Sequence, residues 1–261
     1  MDNNYWIVDD CLIFKPEFND KLDEYYNVIN KYNKIMFSNY NDSLIAIETN
    51  NEFEQNYIDN YVENKFNQQI NLLNNINLTH LTFGDFFNQE IDLSNNIHLT
   101  HLTFERDFNK KIDLSNNINL THLTFGYWFN QKIDLSNNIN LTHLTFERCF
   151  NQKNNIPLNV KSINMYECNN QYIIDNLHNN IEELIIYNND LNLDNLPNSI
   201  KKIYIENYKK ELNNLPNSIE YLELKNYELK IKKIPKKLKT VKCDKNYKYI
   251  NDFKDYEVIY Y

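Results

Sequence analysis

The sequence predicts a β-rich solenoid: a parallel sheet of short strands, one in each repeat of 19–21 residues, preceded by a smaller α/β cap. Three observations predict it. The hexapeptide LTHLTF begins at Leu78 and returns unchanged at Leu99, Leu120 and Leu141, a step of 21. The pattern continues with altered letters from Val160, Ile181, Ile200, Ile219 and Leu238, at steps of 19 or 21 and with no linker between units. Within a unit, constant apolar positions alternate with variable ones, which is what a strand with one buried face requires.

Each element follows from a column of the repeat. The fourth position runs Leu81, Leu102, Leu123, Leu144, Ile163, Leu184, Ile203, Leu222, Val241, and the sixth runs Phe83, Phe104, Phe125, Phe146, Met165, Ile186, Ile205, Leu224, Cys243. Both are apolar throughout and point inward. The third position changes from four histidines to Ser162, Glu183, Lys202, Tyr221 and Thr240, and therefore points outward. A unit this small cannot bury its own apolar face and must stack on its neighbours. L-x-x-L-x-L/F at this period is a leucine-rich-repeat-like arrangement. So short a repeat has no room for a full helix on the return. Extended or single-turn segments are expected there, most clearly in the IDLSNN stretches at Ile91, Ile112 and Ile133.

The solenoid is expected over residues 57–243, with a capping or adaptor-like segment at 1–56 and a C-terminal cap at 244–261. In the leading segment YWIVDDCLIF reads as a strand and SLIAIE as another. Between them, Phe18, Leu22, Tyr25, Ile29 and Tyr32 fall on one face of a helix.

Asparagine supplies about a fifth of the chain, while glycine and proline number only 2 and 5. Asparagine-rich tracts are often disordered, but disordered tracts lack the periodic Leu, Ile, Phe and Tyr found here. The net charge of −9 is uneven: residues 1–199 hold 12 Lys+Arg against 27 Asp+Glu, and residues 200–261 hold 15 against 9. No apolar run is long enough to cross a bilayer, and Asp2, Asp9 and Asp10 break any signal-peptide order. Cys11, Cys149, Cys168 and Cys243 form no C-x-x-C, so a reducing, cytoplasmic setting and a monomer are expected. The sequons at Asn41 and Asn77 carry little weight without a secretory signal.

HLTFGDFFNQEI from His80, its copies from His101 and His122, and KFNQQI from Lys65 resemble the FNIP repeat family, as do LPNSIKKIYI from Leu196 and LPNSIEYLEL from Leu215. These leucine-rich-type repeats are abundant in social amoebae and in giant DNA viruses that infect amoebae. The resemblance covers residues 57–243 and departs from the usual F-N-x-P-I at Gln69, Glu90, Lys111 and Lys132. It implies a non-catalytic protein-binding scaffold, in the host-cell cytoplasm if the chain is viral. Some members carry an N-terminal F-box, so a diverged adaptor that recruits ubiquitin-ligase subunits is an alternative, although residues 1–56 do not match an F-box.

The partner-binding candidates lie on the outward face and on the rim where each strand ends. His80, His101, His122 and His143 form a ladder, which could chelate a metal between rungs. No carboxylate stands in the outward columns of the four HLTF rungs themselves, and a solvated or partner-contacting ladder is the preferred reading. Past the sixth position the rim carries Asp85, Arg106, Tyr127, Trp128 and Arg148, and Trp, Tyr and Arg are common interface anchors. The column Asn67, Asn88, Asn109, Asn130, Asn151 is expected to satisfy backbone groups between rungs. Cys149 and Cys168 occupy the same position in adjacent units and should lie close as free thiols. The basic stretch KIKKIPKKLKTVKC gives a further alternative, binding of nucleic acid or an acidic partner. No catalytic motif appears, and two glycines leave little with which to wrap a cofactor. No enzyme activity, cofactor or metal is expected.

Overall fold

A computed structural model describes residues 4–40, 61–188 and 190–261. The chain divides into two compact units, Met1–Leu141 and Thr142–Tyr261. Unit 1 contains β1 (Tyr5–Val8), β2 (Cys11–Phe14), β3 (Lys34–Phe37), β4 (His80–Phe83), β5 (His101–Phe104) and β6 (His122–Phe125). β1 pairs antiparallel with β2, and from β2 onward neighbours are parallel. Unit 2 contains β7 (His143–Glu147), β8 (Ser162–Tyr166), β9 (Glu183–Tyr187), β10 (Lys202–Glu206), β11 (Tyr221–Lys225), β12 (Thr240–Cys243) and β13 (Glu257–Tyr260), each parallel to the next. This is the mostly β, parallel-strand, leucine-rich-repeat-like solenoid that the period predicts.

Register follows the columns. His80 lies opposite His101, Leu81 opposite Leu102 and Phe83 opposite Phe104. The fourth and sixth residues are buried and the third is not. In unit 1 the core is a double column of phenylalanines. Phe83, Phe104 and Phe125 stack at 5.5 and 6.0 Å, and Phe87, Phe108 and Phe129 stack beside them at 6.1 Å. Within each rung the two rings lie 3.8–3.9 Å apart. The returns are extended, and each IDLSNN opens its turn with a backbone N–H from Ser94, Ser115 or Ser136 to the preceding aspartate at 2.9 Å.

The leading segment differs from its expected elements. YWIVDDCLIF is a hairpin: Asp9 and Asp10 adopt φ of 47° and 61°, the left-handed pair that a two-residue hairpin turn needs. The expected helix is reduced to a 3₁₀ turn at Leu22–Glu24 and α1 (Tyr26–Ile29). An 18-residue helix would be about 27 Å long, too long for a return between adjacent parallel strands. Phe18, Leu22 and Ile29 are buried nonetheless. β3 was not evident from the sequence. The strand expected in SLIAIE and the boundary after residue 56 lie outside the described residues. Phe14, Phe37 and Phe83 continue one ring column at 4.9 and 5.4 Å, and Phe18, Phe66 and Phe87 continue the other at 5.7 and 5.9 Å. β2 and β3 therefore act as rungs.

Candidate functional site

The rim of unit 1 forms where the chain leaves each strand at the seventh position. That position holds Gly84, Glu105 and Gly126 in successive rungs. A Cβ on Gly84 would lie 2.3 Å from Asn64 Cβ, and one on Gly126 would lie 2.4 Å from the Glu105 carbonyl oxygen, so both sites require glycine's close approach. Asp85 is turned inward and is only 3% exposed. It accepts a hydrogen bond from the Tyr61 hydroxyl, and its backbone N–H donates to Asn39 Oδ1 at 3.2 Å. Burial raises the Asp85 carboxyl, against the lowering effects of Tyr61 and Arg106. In the next rung the carboxyl end of Glu105 is enclosed, although the residue as a whole is only half-buried; burial, then Asp85, push it up to about 7.

Arg106 pairs with Glu63 and, at 3.1 Å, with Asp107, while its guanidinium sits 5.0 Å from the Phe86 ring. Trp128 is 51% exposed. Its backbone N–H donates to the Arg106 carbonyl at 2.8 Å, and Tyr127 packs edge-on against its ring at 4.8 Å. Trp128 thus faces outward, Arg106 is held at the surface, and Asp85 supports the rim from below. In unit 2, Arg148 lies 3.8 Å from Glu167 with its side chain more than half exposed.

His80, His101 and His122 stack with centroids 4.2 Å apart and planes within 9°. Each Nδ1 lies 2.9 Å from the hydroxyl of the preceding threonine. Those hydroxyls donate to the carbonyls of Asn33, Thr79 and Thr100 at 3.0–3.1 Å. A hydroxyl has one proton, so Oγ1 accepts from the ring, and each neutral imidazole carries its proton on Nδ1. The Nε2 lone pairs of stacked parallel rings then run side by side, whereas two ligands of one metal must converge on it. Among the described residues no three His, Cys, Asp or Glu gather as a metal cluster. Burial lowers His80, with Lys34 and His122 acting in the same direction; burial also lowers His143 in unit 2, opposed by Glu183.

The FNIP repeat model matches residues 187–227. The chain is also similar to a circular leucine-rich-repeat protein of a giant virus, CroV588, at 29% identity and a TM-score of 0.57, over 92% of this chain and 41% of that one. Residues 187–227 are thus matched as FNIP repeat, and the chain is similar in fold to leucine-rich-like repeat proteins. An internalin of Listeria monocytogenes, InlF, shares the fold at a TM-score of 0.55 and 15% identity, over 96% of this chain and 79% of that one. No curated relative matches the sequence.

The FNIP match falls on the LPNSI rungs of unit 2, although the HLTF rungs supplied most of the motif evidence. The asparagine column works as expected in unit 1: the backbone N–H groups of Asn88, Asn109 and Asn130 donate to Oδ1 of the asparagine one rung earlier at 2.9–3.0 Å. A second ladder was not recognised. The buried Asn96, Asn117 and Asn138 each donate both amide hydrogens to carbonyls of the preceding rung at 2.7–3.0 Å, and their own Oδ1 atoms have no partner. The invariant NN of NNIxL was the available signal, as was the Gly/Glu alternation for the rim. Cys149 and Cys168 are close enough to interact electrostatically, and both are free thiols. In the basic stretch, Lys230, Lys232, Lys239 and Lys242 are ion-paired with Asp252, Glu211, Glu220 and Glu223. No described helix is long and apolar enough to cross a membrane.

Proposed function

We propose that this FNIP-type repeat protein is a non-catalytic, protein-binding scaffold that engages its partner through the rim of unit 1. The leucine-rich-like fold suggests a protein-interaction scaffold in general. The observation that carries the finer reading is Trp128, a half-exposed indole fixed by a backbone hydrogen bond and by Tyr127, with the restrained Arg106 one rung earlier. A large aromatic side chain that loses little freedom on binding is the usual anchor of an interface. The outward His80, His101 and His122 would extend that contact along the strands, and His143 and Arg148 belong to the same proposal for unit 2. A monomer in a reducing cytoplasm is part of the reading.

A photo-crosslinking residue at position 128 tests it, with the exposed return residue Asp92 as the control site. One protein should be captured from native cells at 128 and not at 92, and Trp128→Ala should abolish its co-purification. Equal labelling at both positions would refute the rim assignment. Capture of ubiquitin-ligase subunits would favour the adaptor form of the scaffold. Deleting the leading segment is a poor test of that form, because β2 and β3 place Phe14 and Phe37 in the ring column.

A further inference from the structure

A separate surface lies just before the strands of unit 1. Each HLTF strand is entered through a tight turn in which the N–H of Leu78, Leu99, Leu120 or Leu141 donates to the carbonyl of Asn75, Asn96, Asn117 or Asn138 at 3.1–3.2 Å. The second residue of this turn is Ile76, Ile97, Ile118 or Ile139, and these isoleucines are 46–58% exposed. The third is Asn77, His98, Asn119 or Asn140. With Asn33, Thr79, Thr100 and Thr121, those third residues line an open groove of about 700 Å³. The lining holds no Asp, Glu, Lys or Arg, in a protein with 24% charged residues.

The groove is also pre-set. Nδ2 of Asn119 donates to the Ile97 carbonyl at 2.8 Å, and Nδ2 of Asn140 donates to the Ile118 carbonyl at 3.0 Å. Their amides are thereby oriented, with Oδ1 left as an acceptor.

Unit 2 shows that the fold demands none of this. Its rungs use the same turn, closed by Val160, Ile181, Ile200, Ile219 and Leu238 onto Pro157, His178, Pro197, Pro216 and Pro235 at 3.0–3.3 Å. In place of the isoleucines stand Leu158, Asn179, Asn198, Asn217 and Lys236. In place of the threonines stand Lys161, Glu182, Lys201, Glu220 and Lys239, which are ion-paired along the stack. Exposed isoleucine beside neutral amides and hydroxyls is thus a property of unit 1 that the turn does not require.

We propose that this groove binds a neutral carbohydrate chain. Amide and hydroxyl groups match the donors and acceptors of sugar hydroxyls, and the isoleucine rail can cover the apolar C–H face of the rings. The absence of charge gives no attraction for a nucleic acid or a sulfated glycan. Rungs about 4.8 Å apart match the length of one sugar ring, so successive rings of a chain meet successive rungs, whereas the residues of an extended peptide, ~3.4 Å apart, do not keep step with that spacing. The proposal stands independently of the rim.

Full-length ¹⁵N-labelled protein should be titrated with cellohexaose, chitohexaose and laminarihexaose, with a heparin hexasaccharide and a neutral Ser/Asn peptide alongside. At least one neutral hexaose should shift the side-chain amide signals of Asn119 and Asn140 saturably in the millimolar range or below. Thr100→Lys and Ile118→Asn copy residues that unit 2 already accommodates, and each should weaken binding about tenfold or more while circular dichroism stays unchanged. The proposal is overturned if no neutral hexaose moves those signals, if both variants bind as the parent does, or if the peptide binds there and the sugars do not.

Discussion

The two units solve one packing problem with different residues. Each HLTF rung of unit 1 is filled with a pair of stacked phenylalanines, four residues apart, on steps of 21. Beyond its first rung, where Phe146 and Phe150 still pair at 3.9 Å, unit 2 places Met165, Ile186, Ile205 and Leu224 at the sixth position, with Cys168, Tyr208 and Tyr227 only three residues after Met165, Ile205 and Leu224. The lost residue is absorbed by left-handed backbone at Glu167, Asn188, Asn207 and Asn226, with φ of 47–53°. The tyrosine hydroxyls of Tyr208, Tyr227 and Tyr247 donate to the carbonyls of Leu191, Lys210 and Leu229 at 2.6–3.2 Å, supplying a tie that phenylalanine lacks. Turns held in unit 1 by buried asparagine amides are held in unit 2 by proline, with Ser199 and Ser218 donating to the preceding rung at 2.6 and 2.7 Å. The rung geometry is therefore degenerate in sequence. Where the units differ without need, as at the uncharged groove, the difference points to binding.

The largest effect should come from the ring columns. Phe104 touches Phe83, Phe87, Phe108 and Phe125. Phe104→Ala should cost about 3–5 kcal/mol, against about 2–4 for Ile205→Ala at the same position of unit 2. Chemical denaturation with a probe in each unit checks this. Equal losses would show that the rings contribute no more than their apolar volume.

The turn devices should not be interchangeable. The N–H of Asn117 donates to the Leu114 carbonyl at 3.0 Å, and its side chain donates to Leu93 and Asn96. Asn117→Ala removes two buried hydrogen bonds, leaving the Leu93 and Asn96 carbonyls with only their own turn N–H donors, and should cost about 2–3 kcal/mol. Asn117→Pro, the residue unit 2 uses at this turn, should cost more, since the N–H is lost as well. Ser218→Ala removes a single bond and should cost about 1 kcal/mol. A stable Asn117→Pro variant would break the distinction between the units.

The rim contrast is one of pH. The seventh position is Gly84, Glu105 and Gly126 in unit 1, while Tyr166 and Tyr187 stack there at 4.2 Å in unit 2. Glu105 is raised to about 7 from an ordinary 4.5, so the native state holds its proton more tightly than the unfolded chain does. Its contribution is fully present below about pH 4.5 and is lost as the pH rises through 7. Glu105→Gln should remove that loss and stabilise the protein by about 1–2 kcal/mol at pH 8, with little effect at pH 4. His80 is lowered, so its contribution runs the other way and is lost as the pH falls below its ordinary 6.5. A thermal-unfolding series from pH 4 to 8 on His80→Gln and Glu105→Gln separates the two.

Much of this was legible because stacking repeats one decision in every rung. Leu81, Phe83 and their equivalents had to face inward, and their column could be read from composition alone. The double ring column was half legible, since Phe87, Phe108 and Phe129 recur but only their burial shows that they pair. β3 was hidden because its rung carries Tyr32 in the first position, and a long insertion separates Phe37 from Phe66, its ring partner at 4.0 Å. The inward turn of Asp85 was not legible either. It depends on Tyr61 and Asn39, which lie 24 and 46 residues earlier, before the first HLTF copy.

The smallest effect isolates the backbone. Asn207 holds φ of 53° at the shortened rim, while its counterpart Arg106 does not adopt positive φ. Asparagine tolerates this region better than most residues, and glycine enters it without steric cost. Asn207→Gly should therefore leave the melting temperature nearly unchanged, and Asn207→Ala should cost about 1 kcal/mol. The side chain provides its own control: Asn226 Nδ2 donates to Asn207 Oδ1 at 3.0 Å, and both variants lose that exposed bond equally. The difference between them measures left-handed strain alone. If alanine and glycine are equivalent, the one-residue shortening of unit 2 is not held by backbone conformation, and the tyrosine ties must carry it.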